Sequence, residues 1–177
     1  KNGPGTLQLN GAAFGGGVVI NEGMIAAGGV NAMGAGSYLQ IKGGTIAGTA
    51  NRSFTGKFPS SIFIDGDFTL GSSTAPASVT ATLLFDNATN LGTFTNRTIT
   101  LGGTGVISWN GVIDGQGTNL ILDATAAGTL SLGAANTYTA NTVINNGQLL
   151  CGIAGALPAS TDRKSTRLNS SHLVISY

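Results

Sequence analysis

Charge is scarce in this chain. Only 8% of its 177 residues are charged, against roughly 25% in an ordinary soluble domain, so a conventional charged surface is excluded. Disorder is excluded as well, because the apolar fraction is 41% and arrives in short β-branched runs. No stretch approaches the ~18 consecutive apolar residues of a spanning helix, which argues against insertion of this segment into a membrane. Cysteine is limited to Cys151, so there is no internal disulfide framework and packing must carry stability. Histidine is limited to His172, which leaves nothing before it to act as the imidazole base of a Ser-His-acid or Cys-His constellation.

What the chain has instead is glycine, 29 residues of it, with Thr, Asn, Ser and Ala filling other small positions. The text from Gly5, GTLQLNGAAFGGGVVINEG, can be laid over GTLSLGAANTYTANTVINNG from Gly128. Gly5, Thr6, Leu7 and Leu9 fall on Gly128, Thr129, Leu130 and Leu132, and after one inserted residue Val19, Ile20, Asn21 and Gly23 fall on Val143, Ile144, Asn145 and Gly147. Self-similarity at this spacing marks a repeat architecture, and it bounds two copies at about 5–37 and 128–161.

Between the copies lie short runs in period-two alternation, closed by Gly, Asn or Asp. They are Tyr38–Ile41, Ser61–Ile64, Asp67–Leu70, Thr98–Leu101, Asn119–Leu122 and Thr129–Leu132. An antiparallel sandwich would use the same spacing, and Asn10-Gly11, Asn110-Gly111, Asp65-Gly66, Asp114-Gly115 and Asn146-Gly147 are all acceptable hairpin turns. The recurrent Gly-Thr-Leu/Ile text at Gly5, Gly44 and Gly128 decides for stacked equivalent strands. The fold class is therefore all-β, a right-handed parallel β-helix (solenoid) over residues 1–161, with Leu7, Leu9, Leu130 and Leu132 pointing inward. The chain opens on Lys1 with no leader after it, and is expected to be an internal fragment.

Residues 162–177, DRKSTRLNSSHLVISY, break the pattern. They hold Arg163, Lys164, Arg167 and His172, and they resemble a translated sequencing-adapter oligonucleotide. They are set apart as an artefactual tail expected to leave the stack. Without them five bases (Lys1, Lys42, Arg52, Lys57, Arg97) face six acids (Glu22, Asp65, Asp67, Asp86, Asp114, Asp123), and no basic patch supports nucleic-acid binding.

The second copy carries a closer resemblance. A GTL-x-L strand (Gly128–Leu132), an aromatic-containing NTYT turn (Asn136–Thr139) and a T-x-[VI]-N-x-G-x-L strand (Thr142–Leu149) resemble the autotransporter-associated β-strand repeat. Residues 96–122 look like the linking coil of such repeats, while Ala140-Asn141 and Cys151 depart from the pattern. The resemblance implies the passenger region of a large bacterial surface protein, extracellular or held at the cell surface. It also implies a C-terminal outer-membrane barrel as exporter, and surface glycans or host or neighbouring cell surfaces as weak contacts.

Candidate chemistry reads as structure. Cys151, beside Leu149 and Leu150, is a core filler, as free cysteines commonly are. Asp65-Gly66-Asp67 is a turn, with Gly66 at positive φ, in preference to a Ca²⁺ pair or a catalytic carboxylate pair. Gly15-Gly16-Gly17 and Gly102-Gly103-Thr104-Gly105 lack the Lys-Ser/Thr of a phosphate loop and read as turns. Tyr38, Trp109 and Tyr138 could stack on sugars but are expected to pack in the core or in turns. No catalytic, cofactor or metal residue is assigned. The expected role is a structural stalk without enzymatic activity, with a carbohydrate-active β-helix (polysaccharide lyase or hydrolase) as the alternative.

Overall fold

The computed structural model describes residues 1–11, 15–34, 36, 38–159, 163–165 and 173–175. The chain winds through β1 (Thr6–Leu9), β2 (Val18–Ile20), β3 (Met24–Ala27), β4 (Tyr38–Ile41), β5 (Thr45–Gly48) and β6 (Arg52–Ser53). It continues through β7 (Ser61–Ile64), β8 (Phe68–Leu70), β9 (Leu83–Phe85), β10 (Thr89–Thr93), β11 (Asn96–Leu101), β12 (Val106–Trp109) and β13 (Ile113–Gln116). Then come β14 (Asn119–Ala124), β15 (Thr129–Leu132), β16 (Thr142–Ile144), β17 (Gln148–Cys151), β18 (Arg163–Ser165) and β19 (Leu173–Ile175).

These strands form three parallel sheets and no antiparallel pair, so the result is a β-solenoid of about six turns. Sheet A runs β1-β3-β5-β8-β11-β14-β16-β18, sheet B runs β2-β4-β7-β10-β13, and sheet C runs β6-β9-β12-β15-β17-β19. Asn10-Gly11, Asp65-Gly66, Asn110-Gly111 and Asn146-Gly147 accordingly lie between strands of different faces instead of in hairpins, while Asp114-Gly115 lies within β13. All six alternating runs read from the sequence are strands or lie mostly within one.

Alternation puts every second side chain inside, and parallel register stacks those side chains into columns. In sheet A one column is Ile25, Ile46, Leu70, Leu101 and Ala124. In sheet C one is Leu83, Ile107, Leu130 and Leu149, and its neighbour is Phe85, Trp109, Leu132 and Cys151. Each fully buried aliphatic side chain contributes about 1.5–3 kcal/mol, while the neighbouring coil supplies the backbone partners. Such a body is stabilised without surface charge.

Two expectations need correction. Leu130 and Leu132 are fully buried, but Leu7 is 43% exposed and Leu9 only partly buried. Their direction is right, since Leu7 pairs with Ile25 and Leu9 with Ala27, whose side chains both enter the core. What they lack is cover, because β1 is the outermost strand of sheet A.

The second correction concerns the tail. Arg163–Ser165 pairs in parallel with β16, and Leu173–Ile175 with β17, so both segments extend the stack as further rungs. An open solenoid end presents a row of unpaired backbone N–H and C=O groups, which accept a β-capable segment with little regard to its side chains. His172 lies outside the described residues.

Candidate functional site

The residues singled out in the sequence fall into separate places. Asp65 and Asp67 do not converge. Asp65 accepts a hydrogen bond from Gln40 Nε2 in the coil before, and Asp67 accepts one from the Thr98 backbone N–H in the coil after (2.8 Å). The turn reading holds, but not its stated cause: Gly66 is absent from the positive-φ residues. A Cβ there would lie 2.2 Å from the Lys42 carbonyl oxygen, so close coil-to-coil approach is what requires glycine.

Gly102, Gly103 and Gly105 turn the corner between β11 and β12 under the same crowding, against backbone oxygens of Gly71, Val79 and Ala81. Among the described residues no group of three His, Cys, Asp or Glu side chains could hold a metal, and no helix is long and apolar enough to cross a membrane.

The aromatics divide. Trp109 and Tyr138 are buried, as expected. Tyr38 instead sits on the outer side of sheet B, edge-on to the partly exposed Phe63 at 6.4 Å. Trp109 stacks on Phe85 (4.6 Å), which stacks on Phe54 (4.9 Å), giving an aromatic column up the inside of sheet C. Its indole Nε1 donates across the core to Thr89 Oγ1 on sheet B (2.9 Å).

The NTYT segment is more than a turn. Thr137 N–H donates to Ile113 O and Thr139 N–H to Gly115 O, both 2.9 Å, so Asn136–Thr139 lies as the next rung over β13. Asn136 enters the core with both ends of its amide used: Oδ1 accepts from Ile113 N–H (2.8 Å) and Nδ2 donates to Ala156 O (2.7 Å). Sequence reading gave Thr89 no role and took Asn136 only as a turn residue; both are buried polar side chains.

Tyr138 shares a 2.6 Å hydrogen bond with Thr142 Oγ1. Burial pushes its phenol up to about 12, the Thr142 bond opposing and the Cys151 thiol adding to the rise. A folded-state value above the unfolded one means stability fully present below about pH 10 and lost as pH rises from there through about 12. Denaturation from pH 8 to pH 12 is expected to show a loss of roughly 2–3 kcal/mol that Tyr138→Phe lacks.

The sequence also gave no notice of the corner between sheets B and A. Asn119 Nδ2 donates to Asn96 Oδ1 (2.7 Å), and Asn119 Oδ1 accepts from Asn141 N–H (2.9 Å), an asparagine ladder over three coils. Beside it stands Phe94, the one non-glycine with positive φ among the described residues (51°), and 78% exposed. That conformation costs a phenylalanine on the order of 1–2 kcal/mol.

Architecture and corner chemistry together define a stacked-repeat protein whose side walls are neutral and polar. Residues 1–27 and 125–150 match the family model of the passenger-associated-transport-repeat, the autotransporter-associated repeat that the two copies resemble. No curated protein and no solved structure matches the chain. Each matched segment is one turn closing on itself, since its first strand pairs with its last: β1 with β3, and β15 with β17. The two copies begin on different faces, the first on sheet A and the second on sheet C. Repeat and solenoid fit a passenger stalk.

Proposed function

We propose that this segment is a rigid, non-catalytic display stalk in the passenger of a bacterial autotransporter-like protein, exposed at the cell surface and serving adhesion. The observation that carries the reading is the passenger-repeat match at two sites on one parallel solenoid. Uniform inward packing gives stiffness along the axis, and the near absence of charge suits a body built by stacking. A C-terminal outer-membrane barrel in the full-length protein would export it. A chain threaded unfolded is helped by having a single cysteine, because no disulfide loop can form within it. Asp65 and Asp67, each engaged with a different coil, support a non-catalytic role over the carbohydrate-active alternative.

The test is antibody labelling of intact bacteria that express the full-length protein. Labelling without permeabilisation is expected, and labelling only after permeabilisation contradicts surface display. Purified protein is expected to release no reducing or unsaturated ends from plant and bacterial polysaccharides. Turnover abolished by Asp65→Asn with Asp67→Asn would establish the enzymatic alternative.

A further inference from the structure

The corner around Phe94 has the makings of a ligand site. Its ring is largely exposed although its backbone is held in a conformation that favours glycine, and strain of that kind collects where a side chain must be presented. It lies over Gly117, where a Cβ would come within 2.7 Å of the ring, and its N–H is fixed to Gln116 O at 2.7 Å. The platform is thus rigid.

Two open grooves include or adjoin this platform. One, of about 310 Å³, is lined by Phe94 itself with Thr95, Asn96 and Asn119. The other, of about 320 Å³, has Asn90, Asp114, Gln116 and Thr137 among its lining residues. Asp114 and Gln116 alternate outward from β13 and are exposed, as is Thr137 on the next rung. One apolar ring therefore stands among amides, hydroxyls and a single carboxylate, at the regular spacing of successive coils.

Chemistry narrows the occupant. A nucleic acid needs cations, and the nearby Arg97 already donates to Ile64 O and Asn96 O. A β-strand peptide needs a free sheet edge, which the side wall of a solenoid lacks. A lipid surface needs a broad apolar patch, and here there is one ring. A neutral pyranose has a flat C–H face for the ring and hydroxyls that both donate to and accept from amides. We infer that the Phe94 corner binds neutral oligosaccharide, with Phe94 as stacking platform and Asp114 and Gln116 as polar contacts. The inference deepens the display reading by giving the stalk a ligand, but it is tested apart from it, since cell-surface exposure and sugar binding can fail independently.

The experiment is a ¹H–¹⁵N titration of the full chain with cellohexaose and chitohexaose, beside dextran sulfate and phosphatidylglycerol vesicles. Saturable shifts at Phe94, Gln116 and Asn119 with a neutral hexaose are expected. Phe94→Gly should weaken binding at least tenfold without lowering the thermal midpoint, because glycine accepts the backbone conformation. Gln116→Ala, at an exposed position, should weaken it severalfold and guards against a folding defect in the first variant. No shift with either hexaose, binding unchanged in both variants, or binding to dextran sulfate or vesicles alone would overturn the proposal.

Discussion

Trp109→Ala is expected to destabilise the solenoid by about 4–6 kcal/mol, more than any other single truncation. Removing a buried indole costs about 3–5 kcal/mol in lost transfer energy and cavity. The 4.6 Å stack on Phe85 contributes beyond area burial, and Thr89 Oγ1 loses its donor in a buried place. These contributions share one cavity and do not add in full. Trp109→Phe should cost about 1–3 kcal/mol, since it keeps a ring in the column but leaves Thr89 without the indole. Urea denaturation followed by far-UV circular dichroism checks both. A loss under about 1.5 kcal/mol for the alanine variant would mean that the column between Phe54 and Cys151 does not carry sheet C.

Asn136→Ala is expected to cost about 3–4 kcal/mol by a different route. No large cavity forms, but Ile113 N–H and Ala156 O are both left without the amide that satisfies them inside the protein. Asn136→Asp separates the two ends. The aspartate can still accept from Ile113 N–H, yet at neutral pH it sets a buried carboxylate against the Ala156 carbonyl. Protonation turns that oxygen into a donor, so the aspartate variant should recover stability on acidification toward pH 4 while the alanine variant does not. Denaturation at pH 7 and pH 4 reads the difference, and parallel behaviour of the two variants would remove Asn136 from this role.

Much of the body was legible because its rule is local. Tyr38–Ile41 and Asn119–Leu122 announce strands by alternation alone, and the repeated Gly-Thr-Leu/Ile text indicates that the strands stack. The class of protein followed from one copy of that text. What stayed hidden depends on contacts between coils that lie far apart in sequence. Gly66 looks like any turn glycine until Lys42 is placed beneath it, and Phe94 looks like one more aromatic until its φ is known. The residues between β8 and β9 carry no periodicity, yet they are fastened to the body through Ser78 N–H to Gly48 O and Thr82 N–H to Asn51 Oδ1. Exposure of Leu7 and pairing of the tail are properties of a stack's end, and no strand pattern encodes an end.

The different starting faces of the two copies bear on how a gene of this kind changes length. From β1 to β15 the chain makes five and a third turns, so recombination between the copies would not excise a whole number of them. The junction would still close, because each copy hands the chain to the next face in the same order. The product would be shorter by roughly 25 Å at the usual spacing between neighbouring strands. Everything beyond the junction would also be turned by one face about the axis. Variation in the number of repeats therefore alters the direction in which any surface beyond the junction is aimed, as well as its height.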